Sequence, residues 1–251
     1  MDEVVSDTKD GVLRLVLNRA RKKNALTGAM YGALTEGLAA AGRDDAVRAV
    51  ILSAAGEDFC AGNDILDFVG EFPRLRAAGA PLDELPVFRF LKALTYFEKP
   101  LIAAVQGQAV GVGVTLLLHC DLVVAADDIR LSLPFLKLGL VPEAGSTLLL
   151  PQRIGHARAF AWLALGDAIE AGDALSLGLV NKVVARERLD AAALDMAARI
   201  HGLSAAALRH TKAFLRDPDR LWQVIRAEGD VFRQLLTSPE AMAAFTAFQQ
   251  K

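Results

Sequence analysis

Phe59-Cys60-Ala61-Gly62-Asn63-Asp64 and Gly107-Gln108-Ala109-Val110-Gly111-Val112-Gly113 share one layout: small residues set between an apolar, strand-like stretch and a helix-like one. Such a turn leaves backbone N–H groups pointing outward with no internal partner. Two donors of this kind aimed at one oxygen form an oxyanion hole, and no side chain is needed for it.

Outward from these runs, short apolar segments of strand length occur at Val12 to Leu17, Ala49 to Ser53, Leu101 to Val105, Leu122 to Ala125 and Leu179 to Val184. Helical patterns lie between several of them: Thr27 to Ala41 with Thr27 as its cap, Asp83 to Phe97, and an apolar, buried Val112 to His119. The first part of the chain therefore reads as α/β. After about Arg186 only helices are predicted, at Glu187 to His201, Ser204 to Leu215, Asp219 to Leu236 and Ser238 to Gln249, with Ser204 and Ser238 as caps. Gly70 to Pro86 is the most loop-like internal segment and is placed to flank a binding site.

With 251 residues, 53% hydrophobic and 23% charged, the chain can bury a full core and reads as one domain with an appendage. Its 28 basic and 30 acidic residues leave a net charge of -2, so no overall field draws it to nucleic acid or a membrane surface. The longest apolar stretch, Ala109 to Ala126, is interrupted by His119 and Asp121 and fits a buried helix and strand better than a membrane span. The two cysteines, Cys60 and Cys120, sit in apolar runs without disulfide or zinc spacing, and no metal site is predicted. Met1-Asp2-Glu3 lacks a secretory core and Gln249-Gln250-Lys251 is no peroxisomal address, so a reducing, cytoplasmic location is expected.

Three other chemistries fit poorly. A dinucleotide fingerprint running from Gly107 through Gly111 and Gly113 needs another glycine where Leu116 stands. Ser146 lies in Glu-Ala-Gly-Ser-Thr, which is not a nucleophile elbow. His119-Cys120-Asp121 are consecutive and cannot converge on one point in a helix or strand, so core packing accounts for them better.

Taken together, the chain resembles the crotonase (enoyl-CoA hydratase/isomerase) superfamily. The matching stretches are Asn18-Arg19 with Lys23-Asn24-Ala25-Leu26, Phe59 to Ile65, Lys99 to Gly107, Cys120-Asp121-Leu122, Leu138 to Pro142, and Ala171 to Val180. The resemblance implies a spiral of repeated ββα units over residues 1–190 and an all-helical C-terminal layer over 191–251 used for oligomerisation. It also implies a homotrimer, or a hexamer of two trimers, acting in acyl-CoA and fatty-acid metabolism. The substrate would be a coenzyme A thioester whose carbonyl oxygen is held by the N–H groups of Asn63 and Val112. Family members usually carry glycine at the second position, but valine keeps the N–H. Each donor is typically worth about 3 kcal/mol of transition-state stabilisation.

The family's hydratases use two glutamates, at positions that read Thr115 and Phe135 here. Without that pair, water activation is disfavoured. Glu143 remains, in Leu140-Val141-Pro142-Glu143-Ala144-Gly145. Alone it reads as a first-turn helix acid behind Pro142. The resemblance to the Δ3,Δ2-enoyl-CoA isomerases makes it the single general acid/base, with Phe135 or Leu138 raising its basicity by desolvation. Lys23, Ala25, Ala61, Asp64 and Ile65 would line the CoA, with Arg21, Lys22 or Lys23 near its phosphates. Leu66, Phe68, Phe135 and Leu138 would line the acyl group, with Val69 and Phe72 beside them. No cofactor beyond the substrate's CoA is expected. The alternatives are an enoyl-CoA hydratase using Glu143 and a non-catalytic acyl-CoA-binding member.

Overall fold

In the computed structural model, residues 2–64, 67 and 81–249 are described. The chain opens with a hairpin, β1 (Val4–Lys9) and β2 (Val12–Leu17). Its turn is Asp10-Gly11, whose φ values of 50° and 73° are the left-handed pair that a two-residue hairpin turn requires. Helix α1 (Gly28–Arg43) follows, its first turn closed by the Thr27 hydroxyl, which accepts from the Met30 N–H at 3.2 Å. Then come β3 (Ala49–Ala54), α2 (Pro86–Thr95), β4 (Leu101–Val105) and β5 (Gln108–Val110). A single α-turn, α3 (Val112–Thr115), runs into a 3-10 turn at Leu116–His119. The chain continues through β6 (Leu122–Ala126), β7 (Arg130–Ser132), α4 (Ser146–Ile154), α5 (His156–Leu165), β8 (Ile169–Glu170), α6 (Ala171–Ser176) and β9 (Lys182–Val184). It ends in α7 (Leu189–His201), α8 (Ala205–Leu215), α9 (Pro218–Leu235) and α10 (Pro239–Gln249).

Among the described residues the larger sheet has six strands in the order β1-β2-β3-β4-β6-β9, and the smaller has three in the order β5-β7-β8. The larger is parallel from β2 to β9, and only the β1 edge is antiparallel. Its centre, β4, is buried along its whole length, the pattern expected of a parallel strand covered on both faces. Helix α7 packs on β3, β4 and β6, while α9 packs on α2 and α4. No helix among the described residues is long and apolar enough to cross a membrane.

The strands expected at β2, β3, β4 and β6 form within one residue of their predicted bounds. The last predicted strand is shorter, because the N–H groups of Leu179 and Val180 donate to Ala174 O at 2.9 and 3.3 Å and close α6 instead. Pro86 divides the helix expected over Asp83 to Phe97 into a 3-10 turn at Leu82–Glu84 and α2, since a ring nitrogen cannot continue a helix but can start one. Ser204 and Ser238 cap α8 and α10, accepting from Ala207 and Ala241 at 3.3 and 3.2 Å. Of the predicted loop, residues 70–80 lie outside the described residues.

Asn24 fixes the crossing from β2 into α1. Fully buried, it accepts from Arg19 N–H at 2.8 Å and donates to Ala55 O and Asp58 O at 2.9 and 2.8 Å. Asn24→Ala leaves these groups without partners in a dry site, so it is expected to cost about 3 kcal/mol, read as a lower denaturant midpoint.

Candidate active site

The two small-residue runs lie side by side. Cys60 and Ala109 form a parallel bridge, in which Cys60 N–H donates to Gln108 O at 3.1 Å and Cys60 O accepts from Val110 N–H at 2.9 Å. Gly113 makes this approach possible, because a Cβ there would stand 2.6 Å from Cys60 O. A second bridge pairs Leu26 with Asn63. Its bonds are made by the neighbours of Asn63: Gly62 O accepts from Leu26 N–H at 2.8 Å, and Asp64 N–H donates to Leu26 O at 2.9 Å. In a parallel ladder this turns the N–H of Asn63 itself to the opposite side. Val112 starts α3, where the first N–H groups have no helical acceptor. Among the described residues neither the Asn63 nor the Val112 N–H makes a hydrogen bond.

Glu143 lines one cavity with Asn63, closed by Val87, Phe88 and Leu91 of α2 and by Ile225, Gly229 and Phe232 of α9. Burial in this apolar setting pushes its carboxyl up to about 8. The Thr115 hydroxyl, donating to Glu143 Oε1 at 2.6 Å, pulls the other way, and the nearby Glu228 carboxyl adds to the rise. Thr115 thus holds the Glu143 carboxyl through a hydroxyl. Tyr31, whose phenol is raised well above its usual value first by burial and then by Glu143, donates to Asn63 Oδ1 at 2.6 Å.

The loop carrying Glu143 has two successive left-handed residues, Ala144 and Gly145, at φ 60° and 73°. A non-glycine residue in that region stores about 1 kcal/mol or more. The loop is held by its neighbours: His119 Nε2 donates to Ala144 O at 2.8 Å, and Glu228 of α9 accepts from Gly145 N–H at 2.6 Å and from the Thr147 N–H and hydroxyl at 3.0 and 2.5 Å. Burial brings His119 down to about 4, so its imidazole is neutral. Cys60 and Cys120 are both free and buried, and burial pushes each thiol up to about 12, far from a nucleophile's range.

The sequence model of the enoyl-CoA hydratase/isomerase family matches residues 7–251. The chain belongs to this family. It is 37% identical over 203 residues to 1,2-epoxyphenylacetyl-CoA isomerase of Escherichia coli K12, covering 78% of this chain and 75% of that one. It is 32% identical over 253 residues to 2,3-dehydroadipyl-CoA hydratase of the same organism, covering 100% and 97%. The solved structure of Pseudomonas aeruginosa OdaA superposes with a TM-score of 0.93 at 42% identity, covering 100% of both chains. The mixed α/β architecture, with its parallel sheet and helical C-terminal region, is the crotonase fold of this enoyl-CoA hydratase/isomerase family.

Of the positions that the family resemblance singles out, Lys23, Ala25, Ala61 and Asp64 come together on one strip. Ala61 N–H donates to Lys23 O at 2.9 Å, and the Arg19 guanidinium donates to Ala25 O at 3.0 Å and pairs with Asp64 at 2.8 Å. Lys23, beside exposed Arg21 and Lys22, pairs with Asp58 at 3.2 Å. Ile65, Leu66, Phe68, Val69 and Phe72 lie outside the described residues. Phe135 is buried beside Gly111, and Leu138 is half-buried, but the cavity at Glu143 is walled by α2 and α9. Sequence reasoning passed over Arg19 as a tie, Tyr31, Glu228 and the α2–α9 wall. Glu228 left a signal: an acid inside the apolar stripe Leu221, Trp222, Ile225, Gly229, Phe232.

Because the Glu143 carboxyl rises from 4.5 to about 8 on folding, the unfolded chain loses this proton first. Stability from this group is therefore full below about pH 4.5 and is lost as pH rises through about 8. Glu143→Gln, which cannot ionise, is expected to raise the melting temperature relative to the unsubstituted protein by more at pH 9 than at pH 5. An equal difference at both values in a thermal scan would contradict the assignment.

Proposed function

We propose that the protein is an acyl-CoA isomerase that moves the double bond of an unsaturated acyl-CoA, with Glu143 as its single general acid/base. The observation that carries the reading is one acid, bound to Thr115 rather than to a second carboxylate, in the cavity shared with Asn63. In a 3-enoyl thioester, the Glu143 carboxylate takes a proton from C2 and the electron pair moves onto the carbonyl oxygen. The N–H groups of Asn63 and Val112 stabilise that dienolate oxygen. The protonated Glu143 then gives its proton to C4, leaving the conjugated 2-enoyl thioester and the carboxylate restored. One group serves both steps, and the apolar α2–α9 wall favours this by keeping its proton affinity high. The CoA portion would lie along Lys23, Ala25, Ala61 and Asp64.

Purified protein given a 3-enoyl-CoA is expected to form the conjugated product, and Glu143→Gln to slow this by about a thousandfold. Turnover that survives the substitution, or efficient hydration of a 2-enoyl-CoA, overturns the reading. Since the base must be ionised in the free enzyme, kcat/KM should climb with pH up to about 8 and then level.

Val112→Pro tests the backbone donor directly. The first position of a helix tolerates proline, and the substitution deletes the N–H in question while exchanging the buried valine side chain for another apolar one. A fall in kcat of about a hundredfold with the fold retained is expected; unchanged kcat would exclude Val112 as a donor.

A further inference from the structure

Glu228 belongs to no part of the reaction described above, yet it is a buried carboxyl that reaches from α9 to the loop bearing Glu143. Helix α4 has no side-chain cap of its own: its N-cap is Gly145, in the left-handed region. The cap comes instead from Glu228, more than eighty residues further along the chain, through Oε2 to Gly145 N–H and Oε1 to Thr147 N–H and Oγ1. These bonds take up the donors that follow the Ala144-Gly145 turn. On its other side Ala144 O accepts from His119 Nε2, and within the segment Glu143 O accepts from Ser146 N–H at 3.1 Å. Glu228 and His119 thus anchor the turn from distant segments, and Glu143 stands immediately before it.

We propose that Glu228 is a positioning residue for Glu143: its three hydrogen bonds hold the turn that keeps the Glu143 carboxyl against Thr115 and inside the apolar cavity. The role deepens the isomerase reading and rests on it for its catalytic meaning, but the placement of Glu143 can be measured without turnover. Released from this anchor, the turn would relax from its left-handed pair and carry the carboxyl toward water. The loss of the nearby negative charge acts in the same direction on the proton affinity of Glu143. The groups facing Glu143 are Thr115 from α3, Tyr31 from α1 and Glu228 from α9. Only the last both carries a carboxylate and touches the turn.

The test is a carbon-13 NMR titration of glutamate carboxyls in the full-length protein, with the Glu143 signal assigned by its absence in Glu143→Gln. In Glu228→Gln the midpoint of Glu143 is expected to fall from about 8 toward the ordinary carboxylate range. For the 3-enoyl-CoA reaction, kcat is expected to drop tenfold or more while KM moves less than threefold. Thr147→Val removes one donor without leaving a backbone group unpaired, and should lower the midpoint and kcat in the same direction by less. It decides the matter should Glu228→Gln not fold. Loss of charge alone would lower the midpoint in Glu228→Gln, so the deciding variant is Thr147→Val, which keeps that charge. A folded Thr147→Val in which the Glu143 midpoint and kcat stay at their original values overturns the proposal whatever happens to the melting temperature, and so does an unchanged midpoint in Glu228→Gln. Absence of isomerase turnover in the unsubstituted protein counts against the isomerase reading alone, and the titration still decides the part played by Glu228.

Discussion

The site depends on one close approach of backbone to backbone, Cys60 against the start of α3. Cys60 O lies where the side chain of any residue other than glycine at Gly113 would stand, and the bridge from Cys60 to Ala109 locks the two runs together. The constraint is steric rather than attractive, and it explains why the chain has glycine there. With the runs held in contact, the remaining ladder bonds go to the residues on either side of Asn63, and its own N–H is turned away from them. A helix beginning at Val112 supplies the other unpaired donor. Neither donor owes its availability to a side chain.

The acid is prepared differently, by exclusion of water. The α2–α9 wall deprives the Glu143 carboxylate of solvation, and a single hydroxyl from Thr115 replaces only part of it. The outcome is a carboxyl whose proton affinity lies near neutrality, the range in which general acid–base groups work best at physiological pH. The same burial has opposite consequences for its neighbours: it holds His119 neutral and keeps both thiols protonated. Among the described residues that line the cavity, Glu143 is the ionisable one, and burial brings it to about 8.

Much of this was legible in the chain. The apolar runs of β2, β3, β4 and β6 are buried parallel strands, and a continuous hydrophobic run needs no knowledge of its partners to be read. Thr27, Ser204 and Ser238 announce their helices because a cap is a local bond between residues three apart. Strand β1 escaped because Val4–Lys9 is an exposed, polar edge; only the Asp10-Gly11 turn marked it. The short β5, β7 and β8 have too few residues for any period to appear. The split at Pro86 was present as a letter but was outweighed by the apolar pattern around it.

For the site, the resemblance carried by the order of the motifs pointed to Asn63, Val112 and Glu143, and the structure brings Asn63 and Glu143 to one cavity and leaves the Val112 N–H unpaired. What surrounds the acid was not readable. The wall at Glu143 comes from Val87, Phe88, Leu91, Ile225 and Phe232, residues brought together from helices far apart in the chain, and the anchor of its turn comes from Glu228. By itself the sequence determined which backbone groups are left unpaired and which acid is present, because these follow from residue type and near neighbours. Only the tertiary structure decided how dry that acid is and what holds it in place, because solvation and long-range hydrogen bonds depend on which distant segments close over the site.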